Sequence, residues 1–159
     1  MSEALIVLNQ RLASVDSDSD IHLRLPLTAE ERTRLRGRRC TACGRDVLLQ
    51  LPREGPLHPG EFLAGENGEP KVRVEAAQES LLAVSASSTL ALLQAAYHLG
   101  NRHVALELHQ QELLLLDDSV LAEMLRSRGL KVEQCCRPFD PEGGAYEGHH
   151  HHHKHHHKN

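Results

Sequence analysis

The second half of the chain constrains the fold most, because its hydrophobic pattern switches between a period of two and a period of 3.6 in one particular order. Glu79 to Ala86 reads as a strand. Ser87 and Ser88 can cap a helix over Thr89 to Leu99, which Gly100 stops where a left-handed residue is wanted. His103 to Leu108 and Glu112 to Leu116 read as two strands about a turn at His109 to Gln111. Asp117, Asp118 and Ser119 offer caps and favourable charge for a second helix, with Val120, Leu121, Met124 and Leu125 on one face and Gly129 closing it. Leu130 to Arg137 supplies the last strand. The order β-α-β-β-α-β is that of a ferredoxin-like domain, in which two helices cover one face of an antiparallel sheet. Fold order alone names no function, so function must come from particular side chains.

The first half has a different grammar. Ala4 to Leu8 is short and apolar, and a Ser/Asp stretch at Asp16 to Asp20 separates it from a strand over Ile21 to Leu25, where Ile21, Leu23 and Leu25 alternate with His22 and Arg24. Thr28 and Glu31 fit a capping box for a short helical turn ending near Gly37. Val47 to Leu51 is a strand, Pro52 to Gly60 a turn-rich connection, and Phe62 to Ala64 leads to Asn67-Gly68, a hairpin signal. The expected class is therefore α+β: a small all-β domain over residues 1–73, a ferredoxin-like domain over 74–140, and a His-rich tail over 141–159, disordered without metal.

Aromatic residues are 3% of the chain and Trp is absent, so the cores must rest on Leu, Val and Ala. Small aliphatic cores favour help from dimerisation. A formal charge of −4 leaves no basic footprint for nucleic acid. No apolar run has the length of a membrane span and the first residues lack a secretory pattern, so no membrane association and a cytoplasmic location are expected. The cysteines fall as Cys40 with Cys43 and as the neighbours Cys135 and Cys136, free thiols in a reducing compartment. On a strand, neighbours point to opposite faces, so Cys135 and Cys136 cannot readily grip one ion.

Eight of the 13 histidines stand in the last eleven residues: His149, His150, His151, His152 and His153, then His155, His156 and His157. Lys154 interrupts the run and Lys158 and Asn159 close it, unlike an affinity tag, which is normally unbroken. Imidazole suits divalent nickel, zinc and copper, so the block is a multidentate collector of such ions. The ordinary imidazole pKa is near 6.5, so nickel stoichiometry should fall between about pH 7.5 and 5.5.

Three pieces share one order and spacing: Tyr97-His98-Leu99-Gly100-Asn101-Arg102-His103, Pro138-Phe139-Asp140-Pro141-Glu142-Gly143-Gly144-Ala145-Tyr146, and the terminal histidines. With Gly60 to Glu66 and the Leu121 to Leu130 helix, they resemble the UreE-type urease accessory proteins over nearly the whole chain. The resemblance implies a homodimeric nickel metallochaperone, not an enzyme, with a peptide-binding-like N-terminal domain. It implies Ni(II) as cargo, passed through a GTPase-containing accessory complex to urease apoprotein, and His98 binding metal together with its two-fold mate. From position alone, His98 would read as a surface or interface imidazole favoured by the negative end of its helix.

Two stretches depart from that family. Some members carry extra histidines before the second helix, where this chain has Leu116-Asp117-Asp118-Ser119. Cys40-Thr41-Ala42-Cys43-Gly44 is no general family mark; two thiolates can chelate an ion or cycle to a disulfide, but a structural zinc site needs four ligands. His22, His58 and His103 read as structural. A divalent-metal buffer or store is the alternative function, and a hydrolase using His98, His103 and Glu107 is a remoter one, since there is no H-E-x-x-H element.

Overall fold

The computed structural model describes residues 4–12 and 22–144. The first unit holds strands β1 (Ile6–Leu8), β2 (Gln10–Leu12) and β3 (Leu23–Leu27), helix α1 (Ala29–Thr33), then β4 (Arg36–Cys40), β5 (Asp46–Gln50), β6 (Phe62–Ala64) and β7 (Lys71–Ala76). They make a three-stranded sheet in the order β1-β5-β4 and a four-stranded one in the order β2-β6-β7-β3. The chain changes sheet at Asn9, whose amide donates to the Ala64 carbonyl. Leu8, Val47 and Leu49 from one sheet meet Leu25, Leu63, Val72 and Val74 from the other in a single aliphatic cluster. Each large aliphatic side chain so buried contributes about 1.5–3 kcal/mol.

Local signals here are partly right. The capping box forms as expected: the Glu31 amide donates to Thr28 Oγ1 (3.1 Å) and the Thr28 amide to Glu31 Oε1 (3.0 Å). The helix stops at Thr33, however, and Arg36 to Cys40 run as a strand antiparallel to β5, where a turn reaching Gly37 was expected. Cross-strand pairing overrides the weak helical signal of that arginine-rich stretch. Strand β2 carried no expectation. Around Asn67-Gly68 the hairpin does form, with Phe62 opposite Arg73 and Ala64 opposite Lys71.

The second unit follows at once: β8 (Gln78–Ser85), α2 (Thr89–Asn101), β9 (Glu107–Leu108), β10 (Leu113–Leu116), α3 (Ser119–Ser127) and β11 (Lys131–Pro138). Its strands lie in the order β11-β8-β10-β9, all antiparallel. Leu92, Ala95 and Leu99 of α2, with Ala122 and Leu125 of α3, cluster on Leu82, Val84, Leu113, Leu115 and Val132 of that sheet. The α3 face differs from expectation at one residue: Leu125 is buried and Leu121 and Met124 pack against the core, but Val120 points out.

The end of the second unit, just after Pro138, is an anchor. Phe139 is fully buried with Leu81 and Leu114 on the sheet face opposite the helices. Its carbonyl accepts from Arg32 Nη2 (2.6 Å), while Arg32 Nη1 donates to the Leu27 carbonyl (2.8 Å). Arg32 is buried, and desolvation lowers its pKa against the opposing pull of Asp140, Glu79 and Glu107. One guanidinium thus ties α1 to the end of β11. The tail expectation, from residue 145 onward, lies outside the described residues, as do Ile21 and the Asp16 to Asp20 stretch.

Candidate metal centre

His98 sits in the last turn of α2. Ser88 opens the helix, its hydroxyl accepting from the Ala91 amide at 3.1 Å. The helix does not stop at Gly100 but runs through Asn101 to a cap at Arg102. Closure is by two backbone bonds, His103 N–H to the Gly100 carbonyl (3.0 Å) and Val104 N–H to the Leu99 carbonyl (3.1 Å), with Val104 packed on the core that holds Leu99. The left-handed residue is therefore His103, at φ 58°, and not the glycine. His103 does not open a strand as expected; pairing begins only at Glu107.

The His98 side chain is half-buried, and its ring meets Tyr97 edge-on with centroids 5.6 Å apart. Along the outer side of α2, Leu90, Leu93 and Tyr97 recur at i, i+3 and i+7 and are 64%, 62% and 68% exposed. The sheet leaves this stripe uncovered. The sequence held its signal in plain view, since α2 is apolar on more than one side and the sheet can cover only one.

The other histidines are dispersed. His22 lies edge-on to Phe62 at 5.3 Å, and His58 is exposed in the β5–β6 connection with its amide on Glu61 Oε1. His109 pairs with Glu107, whose other oxygen accepts from the Asp140 amide (2.7 Å). Glu107 is thus engaged on both oxygens, and His98, His103 and Glu107 make no catalytic trio. Among the described residues, no three His, Cys, Asp or Glu side chains gather closely enough to hold a metal ion. Asp118, in the stretch where auxiliary ligands would stand, is occupied as the α3 cap, accepting from the Val120 and Leu121 amides at 2.9 Å. A surface groove of about 450 Å³ near Arg34, Arg36 and Arg53 contains no imidazole, thiol or carboxylate. The described part of one chain thus offers a single imidazole beside an apolar stripe, and His149 to His153 and His155 to His157 lie outside the described residues.

The cysteines behave as their spacing suggested in one case. Cys135 packs partly against Leu81 and Phe139, whereas Cys136 is exposed. Cys40 and Cys43 are both exposed at the β4–β5 hairpin. The Thr41 hydroxyl bonds to the Cys43 sulfur and, with the Arg45 backbone and charge, lowers its pKa against the effect of desolvation.

Residues 8–77 match the N-terminal domain of the UreE urease accessory protein and residues 79–159 match its C-terminal domain. The chain belongs to the UreE urease accessory protein family. It is 62% identical over 149 residues to the urease accessory protein UreE of Parasynechococcus marenigrum strain WH8102, covering 94% of this chain and 98% of that protein. The UreE of Synechococcus sp. strain WH7805 is 68% identical over 133 residues, 84% of this chain and 76% of that protein. The similarity extends to Azotobacter vinelandii, whose UreE is 46% identical over 146 residues, 91% of this chain and 85% of that protein. Membership makes this an accessory protein of urease assembly. Among the described residues, no helix is long and apolar enough to cross a membrane.

Proposed function

We propose that the chain is a cytoplasmic nickel metallochaperone that works as a homodimer, collects Ni(II) and delivers it for assembly of the urease active site. Its first unit is a peptide-binding-like β domain and its second a ferredoxin-like domain; the expected boundary at residues 73 and 74 falls inside β7, so the division is put between β7 and β8. The reading rests on one observation above others: His98 stands half-buried beside an exposed stripe of Leu90, Leu93 and Tyr97 in a member of the UreE family. A second copy covering that stripe would bring two His98 rings toward one ion, because a two-fold axis doubles every ligand. The tail histidines supply the remaining donors.

Transport requires a site that exchanges ligands. An interface pair of imidazoles backed by terminal histidines can gain and lose bonds one at a time, which a closed four-ligand cage cannot. Zinc and copper fit the same nitrogens, so selection of nickel depends on the partners, a GTPase-containing accessory complex and urease apoprotein.

The test measures nickel binding and oligomeric state for the wild type, His98→Ala, and a chain truncated after Tyr146. The truncated dimer should keep one nickel per two chains and some urease activation, and lose that nickel when His98→Ala is added. Unchanged binding after His98→Ala in the truncated chain would refute the interface site. A truncated chain with neither nickel nor activation would instead make the protein a divalent-metal buffer.

A further inference from the structure

The Cys40-Thr41-Ala42-Cys43-Gly44 hairpin has no part in that function, yet it is a constructed feature. Cys40 ends β4 opposite Asp46, the first residue of β5. Between them three backbone bonds hold the turn: Thr41 N–H donates to the Arg45 carbonyl (2.8 Å), Gly44 N–H to the Thr41 carbonyl (3.0 Å) and Ala42 N–H to the Arg24 carbonyl (2.9 Å). Gly44 takes φ 89°, which a residue with a side chain rarely adopts. The Arg45 amide donates to Thr41 Oγ1 (3.1 Å). Thr41 is buried, and both sulfurs lie against it: Cys40 Sγ 3.5 Å from its carbonyl oxygen and Cys43 Sγ 3.3 Å from its hydroxyl. Two exposed thiols therefore flank one buried, hydrogen-bonded residue at the tip of the β4–β5 hairpin.

We propose that Cys40 and Cys43 form a two-sulfur binding site for a soft monovalent cation of the copper(I) class. Thiolate sulfur selects soft ions. Donor number then decides among them. Zinc in a structural site takes four ligands, and among the described residues nothing completes a set of three around this pair. Copper(I) is satisfied by two sulfurs in a line. On binding, two S–Cu bonds form and two thiol protons pass to solvent, leaving a bis-thiolate unit of charge −1. Arg45, the second residue after Cys43, places a positive charge where that unit needs one. Such a site differs in ligand chemistry from the imidazoles assigned to nickel, so a soft ion and the divalent cargo need not compete.

The experiment uses the reduced full chain without oxygen. Copper(I) is titrated against a chromogenic copper(I) chelator, and zinc(II) is titrated separately. The thiolate-to-metal absorption band reports sulfur ligation, which imidazoles cannot produce. Alkylation of each cysteine is mapped by mass spectrometry with and without metal. One copper(I) per chain should produce the band and protect Cys40 and Cys43 together, and Cys40→Ser or Cys43→Ser should abolish both signals. Cys136→Ser should change neither. A band that survives the Cys40→Ser/Cys43→Ser double variant, or copper that leaves both thiols open to alkylation, overturns the proposal. So does zinc that protects these thiols with one ion shared by two chains, since that would be a four-sulfur bridge between copies.

Discussion

Helices α2 and α3 lie on the same face of one sheet, each begins at a polar cap and each ends in the same pair of backbone bonds, yet they differ where they leave the core. Around α3 the exposed positions are mostly polar, Glu123, Arg126 and Arg128 among them, with Val120 a single apolar exception. Around α2 they include Leu90, Leu93 and Tyr97. The two ends differ as well. Gly129 closes α3 at φ 82°, with Gly129 N–H on the Arg126 carbonyl and Leu130 N–H on the Leu125 carbonyl. At α2 the same position is His103 at φ 58°. Left-handed backbone with a side chain costs about 1–2 kcal/mol, so α2 keeps a strained end five residues from His98 and an uncovered apolar side that reaches the residue next to it. The contrast teaches that two helices packed on one sheet can be equivalent inside and unlike outside, and that the difference lies on the side that faces away from the shared core.

The inward sides should be equivalent, and this is where the largest effects are expected. Leu99→Ala and Leu125→Ala each remove a fully buried leucine and should each cost about 2–5 kcal/mol, read from denaturant unfolding. A difference well outside that range would mean the helices are unequal inside as well as out. The outward sides should then separate. Leu93→Glu should shift the proposed dimer to monomer in sedimentation analysis, whereas Glu123→Lys at an exposed α3 position should leave it intact; dissociation by both would remove the distinction. At the ends, Gly129→Ala should destabilise by about 1–2 kcal/mol, while His103→Gly should stabilise by about 0.5 kcal/mol, because it relieves the strain but adds freedom to the unfolded chain. If His103→Gly destabilises, its side chain has a role that the backbone does not reveal.

The smallest effect belongs to the sheet beneath both helices. Arg137 donates to both Glu112 oxygens, at 2.9 and 3.2 Å, and that hydrogen bonding holds the Glu112 carboxyl below the usual carboxylate range. A depressed folded-state pKa stabilises above the unfolded value, so this contribution is complete at neutral pH and is lost as pH falls below about 4.3. Arg137→Gln should flatten that part of the acid unfolding curve without altering the α2–α3 contrast.

Much of this was legible in residue order because the signals involved are local. Ser88, Asp118, Gly129 and the Thr28–Glu31 box each act on amides or carbonyls within one turn, and they sit where the sequence placed them. The order of strands and helices from Glu79 onward was legible for the same reason. Gly100 misled because a glycine near a helix end invites a left-handed reading, although the next turn could still be hydrogen-bonded and packed by Leu99 and Val104. Of the candidate site, His98 and the terminal block were readable through family resemblance, and the stripe beside His98 was not read at all.

By itself, then, the sequence determined the kind and order of most elements, their caps and the family, since these depend on residues close along the chain. Only the tertiary structure decided that the chain changes sheet at Asn9, that β1 runs parallel to β5, that Arg32 clasps Phe139 and that Val120 faces outward. Those outcomes join residues up to 107 positions apart. Which of many possible partners a strand edge or a buried carbonyl finds is settled by packing the whole chain at once, and no short window of residues contains that information.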